Sequence, residues 1–193
     1  MADSILDAVE FFQRLPDVAG KAATMAINQV ATRGGLKLAR SGILDEIAFP
    51  KDYLSGDRLR VSQKATTANP EAVIAARERP TSLARFAAAG TTLGSRARIG
   101  VRVQVKKGRS VTLKTAWLVR LNSGNIGLAV RVKPGQQIAN KTGATRWLVP
   151  DRVALLYGPS VDQVFRSVSE KIAAPVGRMV GEEFLRQFTR LSI

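Results

Sequence analysis

The stretch LLYGPSVDQVF, residues 155–165, joins an apolar run to a turn and a helix start. The run that ends at Leu156 predicts a strand, and Gly158-Pro159 predicts a turn because proline cannot donate to a continuing ladder. Ser160 followed by Gln163 has the spacing of a capping box, in which each side chain satisfies the other residue's backbone amide. The stretch predicts a corner between a strand and a helix, although a ligand-binding or reactive loop is the alternative at this point.

A long helix is predicted after this corner, because apolar residues recur at helical spacing to the end of the chain. The stripe consists of Val161, Phe165, Val168, Ile172, Val176, Met179, Phe184, Phe188 and Leu191. Pro175 is expected to kink this helix or to split it in two. In the N-terminal part, a similar stripe predicts a helix to Leu15, Pro16 interrupts it, and Asp17 is placed to cap a second helix that continues to about Phe49.

The middle of the chain has the two-residue period of β-strands. Strands are predicted at 59–65, 72–78, 98–106, 111–114, 116–121, 126–133 and 146–158. In RIGVRVQVK (98–106) aliphatic side chains alternate with basic or polar ones, so one face is expected to be aliphatic and the other basic. Residues 83–94 are predicted to form a loop with a helical turn, and residues 134–145 have the composition of a loop.

Together these elements predict an α+β fold with N-terminal helices, a central antiparallel β-sheet and a long C-terminal helix. The expected organisation is a single compact domain with helical arms. Its segments are an N-terminal helical segment at 1–49, a basic antiparallel β domain at 50–158 and the C-terminal helix at 159–193. At 193 residues and 45% hydrophobic content, the chain is long and apolar enough to bury a core.

The positive charge is concentrated in one part of the chain. The net charge is +15, and the 72 residues from 79 to 150 contain 14 basic residues and no acidic one. The rest of the chain is almost neutral, with 16 basic and 15 acidic residues. This regional excess predicts a surface that meets a negatively charged partner, and the alternative is a surface that only confers solubility.

Catalysis is not expected from the side chains available. The sequence contains no Cys and no His, which removes thiolate chemistry and the commonest general base and zinc ligand. Neighbouring carboxylates such as Asp45-Glu46 would point about 100° apart on a helix and would not converge on one metal. We therefore expect no enzymatic activity, no catalytic residue, no metal site and no cofactor.

A membrane location is not expected either. No apolar run approaches the roughly 20 residues that a helix needs to span a bilayer. The N-terminus, MADSILDAVEFFQRL, is acidic and amphipathic and does not resemble a signal peptide. The sequence predicts a protein made in a reducing cytoplasm with no membrane partner.

The candidate interface is a basic surface on the predicted sheet. Its members are Arg98, Arg102, Lys106, Lys114, Arg131 and Lys133, which are expected to lie on one face. The strand at 98–106 has no aromatic residue on which a base would stack, so a stacking platform for RNA or single-stranded DNA is disfavoured. Two candidate ligands remain for the basic surface. They are DNA phosphates, contacted without sequence readout, and an acidic protein surface.

Four stretches spread over most of the chain carry a resemblance to a known family. They are AGKAATMAINQVATRG (19–34), NPEAVIAARERPTSLARF (69–86), AWLVRLNSGNIGLAVRV (116–132) and LYGPSVDQVF (156–165). In content and order they resemble the minor tail protein Z family of tailed phages and prophages, and the third also resembles the related tail-completion proteins. Where that family usually has a His after the Ser-Gly turn, this chain has Asn125.

The resemblance implies a structural protein of the virion that completes the tail and joins it to the head. Such a protein would form a homo-oligomeric ring in the neck, around or beside the DNA channel, after assembly in the cytoplasm of the bacterial host. The implied partners are copies of the same chain, the tail terminator or tube, head-completion or portal-side neck proteins, and viral DNA. The alternative is a stand-alone basic protein that binds DNA without sequence specificity.

A ring requires contacts between two different patches on each copy. The N-terminal helix pair and the C-terminal helix with its corner are the candidates for these patches. The candidate residues of the second patch are Tyr157, Gly158, Pro159, Ser160, Phe165, Ile172, Phe184 and Phe188. Tyr157 is expected to brace the turn with its ring, while its hydroxyl finds a polar partner.

Overall fold

The computed structural model describes residues 2–50, 52–94, 100–132, 147–149 and 153–192, with the backbone alone for 2–12 and 147–149. The predicted α+β class is confirmed, with N-terminal helices, antiparallel sheets and a long C-terminal helix. The helices are α1 (Ala2–Gln29), a π-helix (Val30–Gly35), α2 (Leu36–Glu46) and α3 (Val161–Leu191). Short 3₁₀ turns lie at Gly56–Arg58 and Leu83–Phe86.

The described strands form three antiparallel sheets. The strands are β1 (Leu59–Gln63), β2 (Val73–Ala76), β3 (Thr81–Ser82), β4 (Val101–Val103), β5 (Val111–Leu113), β6 (Ala116–Arg120), β7 (Ile126–Arg131), β8 (Trp147–Val149) and β9 (Val153–Gly158). β1 pairs with β2, β4 pairs with β5, and the third sheet has the order β3-β9-β7-β6 with β8 also on β9. Both predicted hairpins, β4–β5 and β6–β7, are therefore confirmed.

The chain divides into two compact units. The first, here called the helical unit, comprises Met1–Gly42, Ser55–Arg77 and Phe165–Ile193. The second, here called the β-rich unit, comprises Ile43–Leu54 and Glu78–Val164. Each unit is built from segments that are not contiguous in sequence. The predicted segment boundaries at residues 49 and 158 stay a prediction.

In the helical unit, the N-terminal helices run antiparallel to α3. A Cβ added to Gly42 would lie 2.5 Å from the Val168 side chain, and one added to Gly34 would overlap Met179. Farther along, the Arg190 guanidinium donates to the Met25 sulfur at 3.8 Å. Residue numbers therefore run in opposite directions along the packed helices. Gly34 and Gly42 allow α3 to approach the N-terminal helices closely.

Two prolines lie inside continuous helices. The predicted interruption at Pro16 is wrong, since α1 continues through it. The predicted split at Pro175 is also wrong, since α3 continues to Leu191, and a kink there stays a prediction. Proline removes one backbone hydrogen bond, but its fixed φ is close to the helical value, so the turns on either side keep their own bonds.

The second half of the predicted N-terminal helix is irregular. Residues 30–35 form a π-helix, in which the N–H of Leu36 donates to the carbonyl of Ala31 five residues earlier. Gly35 is buried there, and a Cβ on it would come within 3.2 Å of Ile74 in β2. α2 ends at Glu46, three residues before the expected end at Phe49.

In the β-rich unit, the strand that begins with β4 is paired along both edges. β5 occupies one edge, with Val103 opposite Val111. On the other edge, the N–H of Ala88 donates to the Arg102 carbonyl at 2.8 Å. Beyond β4, the N–H of Ala48 donates to the Val105 carbonyl at 2.8 Å. The ladder therefore extends beyond β4 toward the predicted end at residue 106.

The strand predicted over 146–158 is wrong as a single element, because β8 and β9 are two strands that pair antiparallel. Pro150 lies between them in sequence and cannot donate to a ladder. β9 continues alongside β7, with Leu128 opposite Leu156, and Leu128 and Ala154 are almost fully buried in the core of the unit.

The corner after β9 forms as the sequence predicts. The Ser160 N–H donates to Gln163 Oε1 at 3.1 Å, and the Gln163 N–H donates to Ser160 Oγ at 3.0 Å. The capping box is thus confirmed, and α3 begins at Val161. Among the helices that the structure describes, none is long and apolar enough to cross a membrane.

Candidate functional site

The strongest charge feature lies on β4, β5 and their turn, residues 101–114, which we call the basic hairpin. Its five cations are all exposed: Arg102, Lys106, Lys107, Arg109 and Lys114. The turn is closed by the Arg109 N–H, which donates to the Lys106 carbonyl at 3.1 Å. Gly108 has φ of +77°, a left-handed conformation that side chains disfavour. The turn therefore holds three cations within four residues.

The start of the hairpin requires a glycine. Gly100 also has φ of +77°, and a Cβ on it would overlap the carbonyl of Leu113 in the neighbouring strand. The two chains of the hairpin approach closely at this point. Register is consequently fixed at both ends, which holds Arg102 and Lys114 at defined places.

Most of these cations have no carboxylate beside them. Lys107 Nζ lies 3.2 Å from Asp45 Oδ1, and both side chains are more than 60% exposed, so this pair stabilises the fold only weakly. Within the described ranges, the other four hairpin cations form no ion pair. Since they have no carboxylate partner among the described residues, their charge is available to an external anion.

The described members of the predicted basic surface divide between two sheets. Arg102, Lys106 and Lys114 belong to the basic hairpin, whereas Arg131 ends β7 in the larger sheet. Arg98 and Lys133 lie outside the described residues. The single sheet face expected from the sequence is therefore wrong for the four described residues, because β4 pairs with β5 and not with β6 or β7.

Lys107 and Arg109 were missed as members of this surface. Alternation places Lys107 off the basic face of a continuous strand, and Arg109 follows the strand altogether. The signal was present in the sequence KKGR (106–109), since a turn exposes every one of its side chains. The turn, more than the strand face, concentrates the charge.

The second candidate patch consists of the corner and α3. Tyr157 is 38% exposed, whereas Ser160 is buried in its capping box. The hydroxyl of Tyr157 has no hydrogen-bond partner in the described part of the chain, so the predicted polar partner is not found there. Gly158 lies against Phe86, where an added Cβ would come within 3.1 Å of the ring. The corner thus packs tightly within its own unit.

Along α3 the predicted contact residues are half-buried. Phe165, Ile172, Phe184 and Phe188 all belong to this class, as does Pro159 in the corner. The rings of Phe184 and Phe188 stack with centroids 5.8 Å apart. Leu185, which the predicted stripe omitted, is 65% exposed and is the most exposed of the large apolar side chains that the structure describes. Whether this helix contacts a neighbouring subunit stays a prediction.

The Glu183 carboxylate on α3 is matched by side chains of the same helix. Arg186 donates to both carboxylate oxygens of Glu183, at 2.9 and 2.6 Å, and the Gln187 amide donates to the same carboxylate at 2.5 Å. The hydrogen bonds from Arg186 and then Gln187 lower the pKa of Glu183. The same carboxylate raises the pKa of Arg186. This bidentate geometry is the strongest form of such a pair.

No group of three or more acidic side chains that would hold a metal ion occurs in the described ranges. The described surface instead offers exposed lysine and arginine side chains, which are groups able to bind anions. The chain matches no protein-family model, no curated protein and no solved structure.

Proposed function

We propose that this chain is a structural protein of a tailed-phage virion, which completes the tail and joins it to the head at the neck. In this role it forms a homo-oligomeric ring around or beside the DNA channel. Its other partners are the tail terminator or tube and the head-completion or portal-side neck proteins. The resemblance of four stretches to the minor tail protein Z family supports this role.

The observation that carries the proposal is the basic hairpin. Four of its five cations lack a carboxylate partner among the described residues, and the 72-residue region of sequence that contains the hairpin has no acidic residue. A surface of this kind is favourable for phosphates and costs little folding stability to leave exposed. In the proposed ring it faces the DNA, and contact is independent of sequence because aromatic stacking residues are absent from the described hairpin.

The apolar surface needed for ring contacts is proposed on α3. Half-buried Phe184 and Phe188 and exposed Leu185 lie in its last two turns. Apolar side chains of this size gain free energy when a neighbouring subunit removes them from water. A ring contact is heterologous, so this helix would meet a different patch on the next copy.

Two measurements on the purified protein test the proposal together. Sedimentation equilibrium gives the mass in solution, and a fluorescence titration with a DNA duplex at several salt concentrations gives affinity and its salt dependence. We expect a multiple of the 20.8 kDa chain mass and salt-sensitive DNA binding, because each phosphate contact releases a counterion. A multimer that does not bind DNA would contradict the role of the hairpin.

The alternative function is a stand-alone DNA-binding protein. The basic hairpin favours it too, because none of its cations depends on a second copy. A protein that stays monomeric at all concentrations, yet binds DNA tightly with a steep salt dependence, would establish this alternative and overturn the ring. Repeating the mass measurement with the neighbouring tail proteins added shows whether a ring forms only on a partner.

A further inference from the structure

A groove of about 470 Å³ lies beside the basic hairpin in the β-rich unit. One wall is β4 and the other is the segment that follows the 3₁₀ turn Leu83–Phe86. The two walls are joined by hydrogen bonds, including that from the Gln104 N–H to the Phe86 carbonyl at 2.9 Å. Its volume is within the roughly 300–1,000 Å³ of sites for small ligands.

The groove is lined by hydrogen-bond donors from three separate parts of the chain. Arg102 and Gln104 are two residues apart on one strand, so their side chains point to the same face, opposite buried Val101 and Val103. Ser110 follows from the hairpin turn, and Arg85 from the opposite wall. Donors therefore reach the groove from different directions.

Arg85 is held in place by an aromatic platform. Its guanidinium lies 5.2 Å from the centre of the Tyr53 ring. Tyr53 in turn stacks on Phe49 at 5.1 Å, and its hydroxyl hydrogen-bonds to buried Thr81 at 3.1 Å. The stacked guanidinium keeps its N–H groups free to bind an anion and loses little side-chain entropy when it does so.

No carboxylate is among the residues that line the groove. In the described part of the chain, Arg85 and Arg102 have no ion-pair partner, and the side chains of Gln104 and Ser110 have no hydrogen-bond partner. Two guanidinium groups and two neutral donors thus share one concave site, and no described residue accepts a hydrogen bond from their side chains. An oxyanion supplies what the site lacks.

We infer that this groove is a phosphate-binding site, in which Arg85 and Arg102 bind the oxygens of a phosphate with help from Gln104 and Ser110. A tetrahedral phosphate has oxygens in several directions and matches donors on both walls, whereas a planar carboxylate has two oxygens in one plane. The inference rests on the proposed contact between the hairpin and DNA, and it names a backbone phosphate of that DNA as the ligand. A free phosphate is the other source of the same chemistry.

The first experiment measures the thermal midpoint of unfolding with inorganic phosphate or acetate, against sodium chloride of equal ionic strength. We expect phosphate to raise the midpoint of the wild type and of Lys37→Ala, which removes an exposed cation of α2 in the helical unit. In Arg85→Ala and Arg102→Ala only the general stabilisation by phosphate as a salt should remain. Each variant is compared with its own midpoint in chloride, so any destabilisation caused by losing the contact between Arg85 and Tyr53 cancels in the difference.

An equal response in all four proteins would overturn the site. So would an Arg85-dependent response to acetate as large as that to phosphate, because the ligand would then be a carboxylate. Arg85→Lys keeps the charge but loses the fork of donors, and we expect it to recover only part of the phosphate response.

The second experiment measures affinity for a short DNA duplex. We expect Arg85→Ala to weaken binding roughly tenfold, the size of effect expected for a lost charge-assisted hydrogen bond. If phosphate binds in the groove but no DNA binds, the site belongs to free phosphate and the proposed DNA contact fails. If DNA binds and Arg85→Ala has no effect on it, the groove as a DNA site is wrong while the hairpin contact stands.

Discussion

The cations of the basic hairpin and the Glu183 carboxylate of α3 differ in whether the fold supplies a partner for their charge. On α3, Glu183 is hydrogen-bonded by both Arg186 and Gln187, so its charge is satisfied within two turns of the same helix. On the hairpin, Lys107 alone has a carboxylate partner within the described ranges, and that pair is exposed. The fold supplies partners for Glu183, but within the described ranges it supplies none for four of the five hairpin cations. The cations of the hairpin are therefore the ones to assign to an external partner.

Reversing three charges of the hairpin is the strongest test of this difference. In the triple variant Arg102→Glu, Lys106→Glu and Lys114→Glu, we expect DNA affinity to fall roughly a hundredfold or more. The slope of log affinity against log salt should decrease in magnitude by about 0.9 for each lost phosphate contact. Stability should change by less than about 0.5 kcal/mol, because these side chains are exposed and unpaired.

The matched control reverses three exposed cations of the helical unit, in Lys37→Glu, Lys64→Glu and Arg178→Glu. Both triple variants change the net charge equally. If the control lowers DNA affinity as much as the hairpin variant does, the attraction comes from net charge and the hairpin has no special role.

The second test concerns the packing of the helical unit, which leaves no room for a side chain at Gly42. Gly42→Ala should destabilise the protein by about 1–3 kcal/mol, since the new Cβ would lie 2.5 Å from Val168 Cγ1. Adding Val168→Ala should recover part of this loss, because it removes the atoms that clash. Chemical denaturation measures both values.

Gly177→Ala on α3 is the control for Gly42→Ala. Nothing lies within 4 Å of a Cβ at Gly177, so the substitution should stabilise the helix by about 1 kcal/mol. Stabilisation by Gly42→Ala of the same size would contradict the close approach of α2 and α3.

Features set by neighbours in sequence could be predicted. The capping box at Ser160 and Gln163 and the hairpin β6–β7 depend on residues a few positions apart, and both formed as expected. The alternation of Val101, Arg102 and Val103 also predicted which side chains are buried. Local period and turn chemistry carry this information directly.

Features set by distant residues could not be predicted. Residues 86–88 and 46–48 pair with the strand that begins at β4, although nothing in their sequence has the period of a strand. The groove with Arg85 and Arg102 exists only because of this pairing. The split of the basic residues between two sheets has the same cause, since strand order is decided by packing of the whole unit and not by any one strand.

The capping box allows a smaller and more local test. Ser160→Ala removes the acceptor for the Gln163 N–H and leaves a buried helix end unsatisfied, so we expect a loss of about 1 kcal/mol in the free energy of unfolding. Ser160→Asp should keep the capping acceptor. Thr189→Ala, at an exposed position of the same helix, is the control and should change stability by less than about 0.5 kcal/mol. An equal loss in both variants would mean that the cap is unimportant.

The smallest effect expected is on the titration of Glu183. Its pKa is lowered in the folded state, first by the hydrogen bonds from Arg186 and then by that from Gln187. The stability that this pair contributes is present above the pKa of the unfolded chain and is lost as pH falls through the lower folded value. Arg186→Gln should move the pKa of Glu183 up toward its ordinary value, as measured by carboxyl carbon NMR. Arg178→Gln, which removes a cation that does not bind Glu183, should leave it in place. A Glu183 pKa that stays low without Arg186 would assign the effect to Gln187, and the charge on α3 would then not be matched by the arginine.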